Sequence, residues 1–304
     1  PARAPRSRPR NPPSMTPDPR RRTPARRLLL AALVAGVAGL GAFLLLVRPS
    51  NDRDWSPDQA RVPVATFRGD SVFVGNVRNA HYRSTTDYDV HWDDRAYDLG
   101  RLESVWFMVE PFSGWRGPAH TLVSFGFGDG EYVAISVEVR KERGETFSPL
   151  KGLLRRYELM YVVGDERDLI GLRANHRRDS VYLYPVRTTP ERMRAMFVSM
   201  LERANDLAGQ PEFYNTLTST CTTNIVRHVN VISPRRIPFS FKVLLPAYAD
   251  DLAWDLGILD TDLPRDRFRQ AHLINDLAEL YADSASFSSG IRSRYMPTPT
   301  GDGG

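Results

Sequence analysis

Cys221 is the single cysteine in 304 residues, and it sits in YNTLTSTCTTNIVRHV. Ser219 and Thr220 are N-cap residue types, and the residues after them can carry a helix. A thiol in a first helical turn faces unpaired amide hydrogens and the positive end of the helix dipole, both of which favour the thiolate. The opposing reading is a buried small hydrophobe, the usual state of a lone cysteine. The hydroxyl neighbours Ser219, Thr220, Thr222 and Thr223 argue for the nucleophile. One cysteine also excludes an intrachain disulfide framework and a multi-cysteine zinc site.

A thiol nucleophile needs a base within about 3 Å, most often histidine. His228 lies seven residues on, about 10 Å along the same helix, so it is expected to be structural. His81, His91, His176 and His272 fall in polar or loop-like segments and are expected at the solvated surface. His120 differs because it opens a hairpin, HTLVSFGFG, then Gly128-Asp129-Gly130, then EYVAISVEVR. Cross-strand partners about that turn place His120 opposite Glu138 or its neighbour. A carboxylate there would fix the tautomer and stabilise imidazolium, with Ser136 on the same strand face as the substitute and a solvent-facing Glu138 as the plain reading.

The elements that must position these groups are strands first and helices after. DSVFVGNVRN, SVWFMVEPF, the hairpin, YELMYVVG and SVYLYPVR read as strands. Thr189-Pro190-Glu191 marks an N-cap with proline in the first turn. Met193, Phe197, Met200, Leu201, Ala204 and Leu207 then recur at helical spacing to Gly209. A second helix is expected from Thr220 or Cys221, and residues 246–284 read as helical. This order predicts an α+β domain. Asp165-Glu166-Arg167-Asp168 and Asp250-Asp251 read as solvated surface. Tyr214 and Asn215 are close enough to the cysteine to line a cleft, though packing explains them equally. No HExxH or paired-cysteine spacing and no phosphate-binding glycine loop occurs, so neither a metal nor a nucleotide cofactor is implied.

Ahead of the domain, Leu28 to Val47 is a run of twenty residues without a charge. At about 1.5 Å per residue it matches the hydrocarbon core of a bilayer. Nine arginines against Asp18 in residues 1–27 outweigh the whole net charge of +5, so the remainder is mildly acidic and the basicity belongs to a tail. Arginines before the apolar run and acids after it predict a cytoplasmic N-terminus and a periplasmic or extracytoplasmic domain at a bacterial inner membrane. A cleaved signal peptide would have a shorter apolar core and a small-x-small site. The expected organisation is an arginine-rich disordered tail at 1–27, an anchor at 28–47, a linker at 48–69, the domain at 70–292 and a disordered end at 293–304. The partners expected are the bilayer and a lipid, lipoprotein or envelope peptide, with no nucleic acid.

Residues 119–173 together with PEFYNTLTSTCTTNIVRHV (211–229), LGILDT (256–261) and SSGIR (288–292) resemble the bacterial Lnb-type N-terminal periplasmic domain family. Through it the chain resembles the permuted papain-like (NlpC) cysteine enzymes. The likeness runs over about 70–292 in one order. It implies a permuted papain-like fold with an antiparallel sheet and a cysteine-bearing helix, with His120 as base and Cys221 as nucleophile; Glu138, placed by the hairpin register, is the candidate third catalytic member. Thr220 stands where the family pattern has asparagine, and there is no second apolar span of the kind found in full transacylases of that type. The function this implies is thiol-dependent acyl transfer, as an acyltransferase, amidase or esterase, on a lipid, lipoprotein or envelope substrate. The alternative is a non-catalytic envelope-binding or assembly module that keeps the fold.

Overall fold

The computed structural model describes residues 23–112 and 117–295. The arginine-rich tail before residue 23 and the end after residue 295 lie outside them. The chain divides into two compact units, one up to Arg48 and one from Pro49 onward.

The first unit is helix α1, Thr23–Leu46. Its stretch Ala25–Phe43 is long and apolar enough to cross a membrane, and none of it is buried in protein. The helix starts ahead of the apolar run because Ala25, Arg26 and Arg27 are themselves good helix formers.

The second unit is a mixed α+β domain. Its eight-stranded sheet comprises β1 Val64–Arg68, β2 Ser71–Tyr82, β3 Tyr88–Asp98, β4 Leu102–Pro111, β5 Ala119–Phe127, β6 Glu131–Arg140, β7 Glu158–Gly164 and β8 Tyr182–Pro185. The spatial order is β1-β2-β7-β6-β5-β4-β8, with β3 also paired to β2. Pairing is antiparallel except where β2 meets β7. The β5–β6 hairpin turns through Asp129 and Gly130, both at positive φ, so the Asp-Gly pair supplies the left-handed backbone the turn needs.

The sheet carries two different faces. On face one, Val123, Phe125, Ile135, Val137 and Tyr161 pack beneath α3 (Pro190–Gly209) and α4 (Cys221–Ile232). Phe197 of α3 meets Phe125 with ring centroids 4.9 Å apart and Phe127 at 5.4 Å. On face two, Met108, Leu122, Ala134, Met160 and Val162 pack against an eleven-residue π-helix, Arg167–Arg177, and the C-terminal residues Ile274, Ala278, Phe287 and Ile291.

Residues 50–68 are not a free linker. Asn51 Nδ2 donates to the carbonyls of Leu207 and Ala208, Trp55 is buried, and Gln59 Nε2 donates to the Val139 carbonyl. The Arg140 guanidinium lies 4.2 Å from the Trp55 ring and binds the Gln59 and Ala60 carbonyls. Prolines break helix and strand in this stretch, but buried contacts with β6 and α3 order it.

Candidate functional site

α4 begins where the hydroxyl cluster predicts. Thr220 is the N-cap; its Oγ1 accepts from the Thr223 amide, and Thr223 Oγ1 accepts from the Thr220 amide, a reciprocal capping box. Cys221 is therefore the first helical residue. Its side chain packs in the face-one core and is 6% exposed. The nearest polar partner of its sulfur is Thr222 Oγ1 at 3.9 Å. Thr222 in turn is 3.1 Å from Thr121 Oγ1, which fixes the start of α4 over the start of β5.

His120 is the neighbour of Thr121 on β5, and successive strand side chains point to opposite faces. Thr121 faces α4, so His120 faces the other way. Its contacts agree: Nε2 is 2.7 Å from Ser136 Oγ, and Ser136 donates to Glu138 Oε1 at 2.9 Å. Arg173 of the π-helix donates to Glu138 at 3.0 Å and to Glu110, the β4 residue paired with His120, at 2.7 Å. His120, Ser136 and Glu138 are thus assembled on face two, while Cys221 is on face one. No hydrogen bond joins Cys221 to His120, and the sheet lies between their side chains.

The electrostatics of the His120 cluster suit a closed scaffold. Burial, reinforced by the Arg173 guanidinium and opposed by Glu138, holds His120 down to about 3, so it is a neutral imidazole at physiological pH. Burial pushes Glu138 up, but Arg173, Arg78 and His120 outweigh it and keep the carboxyl well below its usual range. Glu110 is raised to about 7 by burial, against the pull of Arg173 and Arg177.

The other residues singled out from sequence distribute as follows. His228 is buried between Tyr161 Oη and Ser199 Oγ, each at 2.8 Å, a structural histidine as its spacing predicts. His81 and His91 are exposed. His272 corrects the expectation of a solvated surface, being buried with Nδ1 2.6 Å from the Phe268 carbonyl. Glu166, Asp168 and Asp250 also correct it, since each is fully buried in an ion pair with Arg292, Arg78 and Arg269 respectively. Tyr214 is buried, and burial together with the nearby Cys221 raises its hydroxyl pKa.

Beside α4 lies a cavity of 540 Å³ that includes Thr222 and the apolar side chains of Met193, Met196, Ile225, Val229 and Ile232. No single motif announces it. The α4 residues that line it, Ile225, Val229 and Ile232, also pack against the face-one core. Among the described residues no cluster of three or more metal-ligating side chains occurs.

The family model described as the Lnb N-terminal periplasmic domain matches residues 88–247, more than half of the chain. The chain belongs to that family. Neither a curated protein nor a solved structure matches it. The matched segment holds β3 to β8, the π-helix, α3 and α4, and so includes His120, Ser136, Glu138, Arg173 and Cys221. Periplasmic-domain membership and the apolar α1 together suggest a single-pass membrane protein of the cell envelope.

Proposed function

We propose that this Lnb-type domain is a membrane-tethered envelope-binding module, with its cysteine and histidine held apart so that no thiol–imidazole pair forms in the resting fold. One observation carries this reading. His120 hydrogen-bonds Ser136 on the face of the sheet opposite the one on which Cys221 packs. A base must reach the proton it removes, to about 3 Å directly or through one water. The test exposes the full chain in lipid nanodiscs to an activated acyl ester and follows Cys221 by mass spectrometry. Slow acylation with the same rate in His120→Ala is expected. Rapid acylation lost in His120→Ala would overturn the reading.

A second reading, thiol-dependent acyl transfer on a papain-like plan, has one observation in its favour. Cys221 is the first residue of α4 and adjoins the apolar cavity through Thr222. In that reading the thiolate attacks an ester or amide carbonyl, helix-terminal amides hold the oxyanion and the leaving group takes the thiol proton through His120. His120 would first have to leave Ser136 and cross to the other side of β5. The same acylation experiment separates the two readings.

The membrane orientation proposed is a cytoplasmic N-terminus with the domain in the periplasm. Its support is the arginine excess before α1 and the acids Asp52, Asp54 and Asp58 after it.

A further inference from the structure

The cavity on α4 is built for a ligand of definite chemistry. Its lining is mostly aliphatic and thioether side chains, Met193 and Met196 from α3 and Ile225, Val229 and Ile232 from α4. These α4 residues share one side of the helix, and Thr222 to Ile232 spans about 15 Å, the reach of a medium-length acyl chain. A volume of 540 Å³ lies within the usual range of about 300–1,000 Å³ for small-molecule pockets.

The mouth is cationic. Arg192, Arg235 and Arg236 line it, all three are exposed, and none forms an ion pair with a described residue. The cavity's one lining carboxylate, Asp255, is already paired with Lys242 and Arg265, and Arg187 is paired with Asp260 and Asp262. The excess charge among the described lining residues is therefore positive.

The loop that carries two of these arginines is fixed. The Asn230 side chain bonds both backbone groups of Ile237, accepting from its amide at 2.6 Å and donating to its carbonyl at 3.1 Å. Ser233 Oγ donates to the Arg235 carbonyl at 2.9 Å. Arg235 and Arg236 are thus held at the mouth by bonds that close the turn between them and α4. Just outside, Val231, Phe239 and Phe241 are exposed by 77%, 72% and 59%, an apolar apron on the same loop and helix end.

We propose that this cavity binds a single-chain anionic amphiphile, its hydrocarbon chain lying along α4 and its carboxylate or phosphate headgroup held by Arg235, Arg236 and Arg192. This names the ligand class for the envelope-binding role proposed above and rests on that role. The chemistry required is an apolar tail and one anionic head, which a free fatty acid and a lysophospholipid share. Guanidinium groups bind either head through charge-assisted, bidentate hydrogen bonds.

The test uses the full chain carrying Cys221→Ala, so that acylation of the thiol cannot contribute, in phosphatidylcholine nanodiscs with empty nanodiscs as the background. A fluorescent fatty acid is titrated in, alongside its methyl ester. Saturable binding of the acid is expected, with the ester about ten-fold weaker or worse for want of a charge-assisted bond. Val229→Trp, which fills the cavity, should abolish saturation. Arg235→Glu with Arg236→Glu, both on the surface and harmless to folding, should weaken the acid about ten-fold and leave the ester unchanged. Competition by lauric acid and by lysophosphatidylglycerol then tells which head is preferred, and displacement by either supports the site. No saturable binding, equal affinity for acid and ester, or no effect of the arginine reversals would overturn it. Rapid acylation of Cys221 that is lost in His120→Ala in the earlier experiment would overturn the non-catalytic reading and leave this site standing.

Discussion

A cysteine that is 6% exposed behaves differently from an activated one. Activated thiols combine thiolate character with access, whereas buried structural ones are inert. Reaction of Cys221 with a maleimide should therefore be slow in the native chain and rise at least about ten-fold once urea opens face one. Equal rates in both states would mean that the sulfur is open to reagent. The imidazoles make a second residue-scale prediction. His228 is held down to about 4, first by burial and then by Arg203 and Arg227, against about 6.5 in an unfolded chain. The unfolded state then binds more protons between those values, so stability rises with pH across the window and is lost as pH falls through it. The shift corresponds to about 3 kcal/mol, and the slope in the window approaches about 1.4 kcal/mol per pH unit for this one group. Urea unfolding of the full chain in detergent at pH 7 and pH 4.5 measures it. His228→Gln should show a shallower dependence.

At the element scale, α4 depends on its cap. Thr220 and Thr223 satisfy each other's backbone amides, so Thr220→Ala should cost about 1 kcal/mol. For a domain of this size that lowers the melting temperature by about 2–4 °C, readable by circular dichroism. Thr220→Asn, which keeps a capping oxygen, should lose far less. The start of this helix was legible in the sequence because capping is local: the hydroxyl residues, the apolar spacing and Cys221 lie within one turn. The β5–β6 hairpin was legible for the same reason, its Asp-Gly turn fixing the register in which Leu122 opposes Ser136. What stayed hidden was the face. An unbroken apolar run such as TLVSFGF has both sides buried, so alternation alone does not say which side α4 will cover. Long-range contacts such as Thr121–Thr222 decide that, and this one joins residues about a hundred positions apart. β3 was missed because Asp93, Asp94 and Arg95 interrupt any hydrophobic alternation, the strand lying largely in solvent along β2.

Across the whole molecule, the feature that organises face two is charge buried in pairs. Asp168 accepts two bonds from Arg78 and one from the Ala80 amide. Glu166 is held by Arg292, whose guanidinium lies 3.8 Å from the Tyr132 ring and 4.7 Å from the Trp106 ring. Arg173 joins Glu110 to Glu138. These pairs tie the π-helix and the C-terminal segment to the sheet, and sequence alone reads Glu166 and Asp168 as surface because their arginine partners lie 126 and 90 residues away. Burial of a paired charge contributes little net stability, but removing one partner leaves the other stranded. Arg292→Ala should therefore destabilise the domain by about 3–5 kcal/mol in urea unfolding. Arg292→Met combined with Glu166→Leu should recover most of that loss, since an apolar pair of similar volume avoids the stranded charge. If face two serves as scaffold while ligand binding belongs to the cavity on face one, the double variant should bind the fluorescent fatty acid as the unaltered chain does. A double variant that folds with near-normal stability yet no longer binds would show that the ion pairs of face two act on the ligand site across the sheet.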